Sequence, residues 1–367
     1  MNARFKAAEV FFPGALAAAL LSIVLSSPPA GARAGEAPWL DWRTKLHADS
    51  HVIGVYAVSP KGPAKTTPDK LIEKLAEADY VLLGEIHDNP DHHRLQAWII
   101  GRLAQKGRRP VVAFEMIDAG QEEALRAYLA RSDASADGLG AALKWKQHGW
   151  PAWTMYKPVA EAALKASRAG AGPAILSAGG PAREMVRAVS RGNLHALIPK
   201  SDLERLGLNR KLPEALAADL KEELFETHCR LMPREAMAPL VSVQRLRDAS
   251  FADRMIRAGE RVRAAGGGSE GSGSATIVLI AGGGHVRKDR GAPYYVLNRE
   301  PGAKLAAVIF AEASGEARSP GQIEALEPGG APKADFVWVT PAAEREDQCE
   351  LLRKRLEKKK EHSDKSR

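Results

Sequence analysis

The stretch Tyr80-Val-Leu-Leu-Gly-Glu-Ile-His-Asp-Asn-Pro-Asp-His-His-Arg-Leu-Gln96 decides the fold class. A short apolar run ends in acids, histidines and an amide, and its order reads as strand, turn, helix. Tyr80 to Leu83 is a compact β-prone run, Gly84 lets the backbone pass closely, and Asn89 caps a helix whose first turn accepts Pro90. The polar groups therefore fall at the carboxyl end of a strand, the rim where open α/β sheets bind ligands. Glu85 and His87, two apart in extended chain, face the same side, and His92 and Gln96, four apart, share a helix face. A histidine beside a helix start is more often a surface or capping group. The weight of this stretch comes from how many such groups meet in one turn.

Working outward, Pro110-Val-Val-Ala-Phe-Glu-Met116 repeats the pattern of a buried strand ending in an acid, so Glu115 is placed like Glu85. The two strands joined by the helix from Pro90 to about Gln105 form a βαβ unit, whose crossover puts both carboxyl ends on one rim. Ala275 to Ala281 is the clearest buried strand, and it runs into Gly282-Gly-Gly-His-Val-Arg-Lys288. His285 reaches the same rim if that strand lies parallel to the first. Further strand signals at His51–Val58, Pro173–Ser177 and Lys304–Phe310 continue the alternation with helices. The expected fold is α/β, with a central, mostly parallel sheet flanked by helices. From about 201 to 263 only helical spacing appears, which predicts a smaller all-helical insertion over the rim, carrying His228, Gln244 and Asp248. Trp145, Trp150 and Trp153 read as packing anchors.

The 367 residues are 45% hydrophobic, enough for a sizeable core. Arg4 and Lys6, the apolar stretch Val10–Leu25 and Ala32-Arg-Ala34 have the layout of a signal peptide over residues 1–34, and no cysteine stands near the cleavage site to take a lipid. The expected location is exported, periplasmic or membrane-associated. Cys229 and Cys349 are the only cysteines, which excludes a disulfide-dense scaffold and a cysteine-based metal cluster. Whether they pair is left open. Much of the net charge of +8 sits in the tail from Arg353 to Arg367, which reads as a solvated end or a contact with an anionic membrane surface. No nucleic-acid motif is present. The run 266–274 is a Gly/Ser linker, and residues 311–367 form a C-terminal extension beyond the α/β domain of 35–310. Gly267-Gly-Ser-Glu-Gly271 matches a nucleophile elbow formally, but helix precedes it and strand follows, so Ser269 is rejected as a nucleophile.

Taken in order, the Gly84–His93 stretch, Phe114-Glu-Met116, His228-Cys-Arg-Leu-Met-Pro233, Gln244-Arg-Leu-Arg-Asp248 and Gly284-His-Val-Arg-Lys288 resemble the ChaN family of haem-binding lipoproteins. That family shares a superfamily with the Tiki proteases and the erythromycin-esterase-like hydrolases. The resemblance spans roughly residues 45 to 310. It implies an α/β core with a smaller helical domain, and haem held by a tyrosine with histidine assistance between two protomers of a homodimer. The residues carried over are His285 with Tyr294 and Tyr295, with Tyr156 as the fallback tyrosine. Arg287, Lys288 and Arg290 are candidates for the haem propionates. The missing lipid-anchor cysteine and the extension after Ala311 depart from the family pattern.

Two functions of different class follow. The first is an exported haem-binding protein supporting iron uptake. The second is a Tiki-like metal-dependent hydrolase, in which Glu85, His87, Glu115 and His285 form the catalytic cluster and His87 and His285 hold a divalent metal ion. The paired Gly-x-x-His segments, Gly84 to His87 and Gly282 to His285, resemble the Tiki arrangement.

Overall fold

The computed structural model describes residues 41–167, 175–192, 194–264, 274–317, 319–326 and 332–365, with side chains as far as 357. The expected signal segment and all of the linker except Ser274, including Ser269, lie outside the described residues.

Among the described residues, eight strands form one sheet: β1 (Gly54–Ser59), β2 (Gly62–Thr66), β3 (Tyr80–Glu85), β4 (Arg109–Phe114), β5 (Ile175–Ser177), β6 (Ala275–Gly282), β7 (Leu305–Glu312) and β8 (Phe336–Thr340). Their spatial order is β2-β1-β8-β7-β3-β6-β4-β5. From β8 to β5 each neighbour is parallel, whereas β1 runs antiparallel to both β8 and β2. The fold is therefore α/β with a mostly parallel sheet, as the alternation of strand and helix signals predicts.

Because successive side chains of a strand point to opposite faces, the apolar strands feed two cores. Val81, Leu83, Val112, Phe114, Val278 and Ile280 pack beneath α1 (Pro68–Ala76), α2 (Pro90–Gln105), α3 (Glu122–Leu129), α4 (Ala136–Ala142) and α5 (Trp153–Ser167). On the other face, Tyr80, Leu82, Ala113, Ile277 and Leu279 meet α6 (Arg183–Val189), α7 (Leu194–Leu197), α8 (Lys200–Arg205), α10 (Ala238–Ala264) and α11 (Ala292–Arg299). The ninth helix, α9 (Glu214–Thr227), packs on α10, and α12 (Gln348–Lys365) closes the chain. Each fully buried Val, Leu or Ile contributes about 1.5–3 kcal/mol, and β3, buried along its whole length, holds the centre.

Local chemistry starts α2 as the sequence predicts: the Asn89 side chain accepts from the backbone N–H of Asp91 and His92, and Pro90 occupies the first turn. Gly84 is required by a close approach, since a Cβ there would stand 2.3 Å from Val286 Cγ2 and 3.0 Å from the backbone of Gly283.

Three features go beyond the sequence reading. The segment Gly62–Thr66 is an edge strand paired only with β1; its Pro63 is tolerated there because an edge strand needs fewer donors. Residues after Ala311 are not an appendage: β8 lies between β7 and β1, and its five residues are all buried. A run as apolar as Phe336-Val-Trp-Val is stable only when both faces are covered. Finally, Cys229 and Cys349 form a disulfide joining the end of α9 to the start of α12.

Candidate functional site

The carboxyl ends of β3, β4 and β6 bring Glu85, His87, Glu115 and His285 together, as three separate stretches of sequence suggested. Glu85 is buried and fully engaged. Its Oε1 accepts from the Tyr156 hydroxyl at 2.8 Å and faces His87 Nδ1 at 2.8 Å, while Oε2 accepts from Gln96 Nε2 at 2.7 Å and lies 3.2 Å from His93 Nδ1. It is thus His93, not His92, that joins Gln96 at this carboxylate. His92 turns the other way, accepts from the Ile86 N–H at 3.0 Å and meets Thr340 Oγ1 at 3.0 Å. Burial pushes its pKa down to about 3, so it is a neutral packing group.

Glu115 occupies the centre of a second array. Its Oε2 accepts from the Gly282 N–H at 2.8 Å, and its Oε1 accepts from the Arg247 guanidinium and lies 3.3 Å from His285 Nε2. His285 Nδ1 meets Asp248 Oδ1 at 2.5 Å, and Gln244 Nε2 stands 3.1 Å from the same nitrogen. Gln244, Arg247 and Asp248 share one face of α10 by their i, i+3, i+4 spacing, and α10 lays that face on the rim. That spacing was visible in the sequence, but which way the face points is decided by packing.

The electrostatics follow from burial set against opposite charge. Burial alone would raise the Glu85 carboxyl, but His93 and His87 hold it down at about 2. Burial likewise works against ionisation of Glu115, and His285 and Arg247 overcome it, leaving a firmly ionised carboxylate. Burial opposes charge on His285, yet Glu115 and Asp248 raise it to about 9. Asp248 is pushed up to about 6 by burial, with His285 pulling against it. Tyr156 is held as a neutral phenol by burial and by the neighbouring charge of Glu85. At neutral pH His285 is therefore an imidazolium between carboxylates.

His87 differs from His285 in exposure. One third of its side chain is open, its Nδ1 is backed by buried Glu85, and its Nε2 lies 4.0 Å from Glu115 Oε2, too far for a hydrogen bond. Its ring meets Trp150 edge-on at 5.1 Å. Trp150 and Glu115, which face His87, also line a cavity of about 250 Å³ together with Met116, Pro181, Val186 and the arginines 183, 187 and 247. On the other side of the β3 end, a larger cleft of about 780 Å³ has a floor that includes Ile86, Ile309 and Phe310 and walls of Glu222, Glu223, Glu226 and Glu312.

The other residues singled out from the sequence lie elsewhere. Tyr295 is buried in the core beneath α10, and its hydroxyl accepts from Arg245 Nε at 3.3 Å. Tyr294 is half-buried against the same core. Arg287 pairs with Glu223 at 2.9 Å, Asp219 at 3.1 Å and Asp289, Arg290 with Asp219 and Glu223, and Lys288 with Asp335 at 2.6 Å. These three basic groups answer acids of the chain itself.

His87 and His285, the expected metal pair, both face Glu115. Among the described residues, no group of three or more His, Cys, Asp or Glu side chains is disposed to hold a metal ion. Glu115 is itself engaged by Arg247 and the Gly282 N–H.

With this geometry in hand, comparison with known proteins is informative. A family model described as haem-binding uptake, Tiki superfamily, ChaN matches residues 71–296. Among solved structures, the chain is similar to ChaN of Campylobacter jejuni, reported with cofacial haem binding, at 21% identity and a TM-score of 0.54, covering 77% of this chain and 95% of that one. It is also similar to the type III effector HopBA1, at 14% identity, TM-score 0.38, and 74% and 92% coverage. A further similarity is to the erythromycin esterase EreC, at 16% identity, TM-score 0.37, and 85% and 86% coverage. At these identities the likeness speaks to the fold. No curated protein matches the chain.

Proposed function

The chain belongs to the haem-binding uptake ChaN family of the Tiki superfamily, and from that premise we propose that it is an exported haem-binding protein that serves iron acquisition, with His87 as the group offered to haem iron. The observation that carries this reading is His87 itself: an imidazole one-third exposed, with its Nδ1 backed by buried Glu85. A carboxylate behind one ring nitrogen fixes the tautomer and leaves the other nitrogen as the donor, which is the usual arrangement for histidine ligands. Haem also asks for an apolar wall and for cations to meet its propionates. Met116, Trp150, Pro181 and Val186 supply the first, and Arg183 and Arg187 the second, around one cavity. Bound haem would supply the iron centre, and the chain's own residues would orient and shield it.

His285, Tyr295 and Arg287 have their polar groups engaged within the protein, so this reading moves the donor to His87 and keeps Tyr294 as the tyrosine to test. At about 250 Å³ the cavity is smaller than the roughly 300–1,000 Å³ of clefts that enclose a ligand, which supports sharing of the group between two copies in a homodimer. The disulfide supports export, because such bonds persist in oxidising compartments.

The test is a haemin titration of the purified protein followed at the Soret band, with His87→Ala, His285→Ala and Tyr294→Phe alongside, and sedimentation of the loaded species. Saturable binding that His87→Ala abolishes, with a doubled mass, is the expected result. Wild-type protein that shows no saturable band, or a His87→Ala variant that binds like wild type, overturns the assignment.

A second reading has one specific observation behind it. The Glu85–His87 pair, with its imidazole one-third exposed, is also the arrangement of a general base that activates water. Hydrolysis of an activated ester that is lost in both His87→Ala and Glu85→Gln would favour this second reading.

A further inference from the structure

The chain between β8 and α12 crosses the rim as a strap fastened at both ends. Its start is tied to the turn that carries His87: Asn89 Nδ2 donates to the Pro341 carbonyl at 3.1 Å, and the Ala343 N–H donates to Glu312 Oε1 at 3.0 Å. Arg345 then forks between two acids, reaching Asp88 at 2.8 and 2.9 Å and Glu312 at 2.6 and 2.7 Å. Four residues on, Cys349 is bonded to Cys229, two residues beyond Thr227. Glu312 and Thr227 both line the 780 Å³ cleft, whose lining also includes Glu85 and Ile86. Four residues of extended chain reach at most about 14 Å, so the segment through Glu346 to Gln348 passes from the β7 side of this cleft to the α9 side.

We infer that this strap is a redox-released latch, and that the Cys229–Cys349 disulfide sets both access to the cleft and the rigidity of the Asp88 turn next to His87. Three observations favour release. Both cysteines are half-buried, within reach of an attacking thiolate. Residues 344 to 348 are exposed, so apart from the Arg345 fork no core packing holds the strap down. The left-handed turn at Cys229 and Arg230, φ 58° and 55°, is held by its own backbone, Cys229 N–H to Glu226 O at 2.8 Å and Arg230 N–H to Phe225 O at 3.0 Å, so cutting the bridge frees the strap without unravelling the end of α9. The balanced step consumes one dithiol: its thiolate attacks one sulfur, the S–S bond breaks, and two electrons and two protons pass to the chain. Cys229 and Cys349 become thiols as the dithiol closes to its own disulfide. In place of a strap fixed at both ends, the segment is then held from its β8 side by the Pro341, Ala343 and Arg345 contacts.

The inference does not depend on which ligand the rim holds, and its test is independent of haem. Hydrogen–deuterium exchange of the full chain is compared between the oxidised protein, the protein reduced with dithiothreitol, and the Cys229→Ser/Cys349→Ser double variant. Carbodiimide labelling of Glu312 reports access to the cleft, and far-UV circular dichroism checks the fold. Exchange about tenfold faster in 344–350 and in the 86–89 turn, with raised Glu312 labelling in the reduced and double-variant proteins, is expected while the core strands remain the most protected part of the chain. Adding Arg345→Ala to the double variant should raise both signals further. Unchanged exchange and labelling on reduction would show that the strap is held without the bridge and would overturn the latch, as would a strap and turn that exchange no faster relative to the core strands than in the oxidised protein.

Discussion

At Glu115 a single buried carboxylate faces His285, Arg247 and the Gly282 N–H. Removing a partner of such an array leaves charges without compensation, which is more costly than the array is worth. Glu115→Ala is expected to destabilise by about 3–5 kcal/mol in urea unfolding, and the additional replacement of His285 by Gln should recover part of that loss. The same groups set a pH dependence. His285 has a folded pKa raised from 6.5 to about 9, so its stabilisation is fully present below pH 6.5 and is lost as pH rises through 9. Asp248, raised from 3.8 to about 6, works in the same direction as pH rises. Glu85, lowered from 4.5 to about 2, contributes fully above pH 4.5 and loses its contribution as pH falls through 2. Unfolding free energy should therefore decline on both sides of mildly acid pH. The alkaline limb, between pH 6 and 9, should flatten in His285→Gln; an identical limb in that variant would refute the assignment. Of these residues, the sequence pointed to Glu85, His87, Glu115 and His285 because each ends a strand. Tyr156 appeared only as a fallback, and Arg247 was not singled out, because its acid partner lies 132 residues away.

At the scale of elements, the site depends on the fit between β3 and the turn after β6. Gly84 lies under Val286, and a Cβ at 2.3 Å from Val286 Cγ2 forces the two apart. Gly84→Ala should cost about 1–3 kcal/mol by overpacking, and Val286→Ala in the same molecule should relieve much of it. Thermal unfolding of the two single variants and the double variant gives the coupling. Independent, additive effects would mean that Gly84 is needed for another reason. The helix α10 acts at the same scale: its 27 residues carry Gln244, Arg247 and Asp248 to the rim while its other residues fill the core beneath. A helix with apolar and polar residues on several sides can be seated in more than one rotation, and the sequence alone left that rotation open.

For the molecule as a whole, the Cys229–Cys349 bond ties positions 120 residues apart. Closing so long a loop restricts the unfolded chain, and removing the bond is expected to lower stability by about 2–4 kcal/mol, read from guanidinium unfolding with and without reductant. No loss would mean that the reduced chain keeps the ends together by other contacts. The bond also explains how a charged helix with little apolar surface stays attached after β8. No helix among the described residues is long and apolar enough to cross a membrane.

What the sequence determined by itself was local and periodic. Apolar runs of five to eight residues, glycines where backbones approach, and Asn89 before Pro90 specify strands and helices through short-range sterics and hydrogen bonding, and their alternation is enough for a mostly parallel α/β sheet. The carboxyl ends of parallel strands share one rim, so Glu85, Glu115 and His285 were legible as neighbours. Tertiary structure alone decided the rest: that β8 enters the sheet between β7 and β1, that α10 turns Asp248 and Arg247 inward, that Glu115 faces both histidines, and that the cysteines meet. Each of these is a contact between distant segments, fixed by which faces can be buried together and which charges can be paired, and no local pattern encodes such a choice.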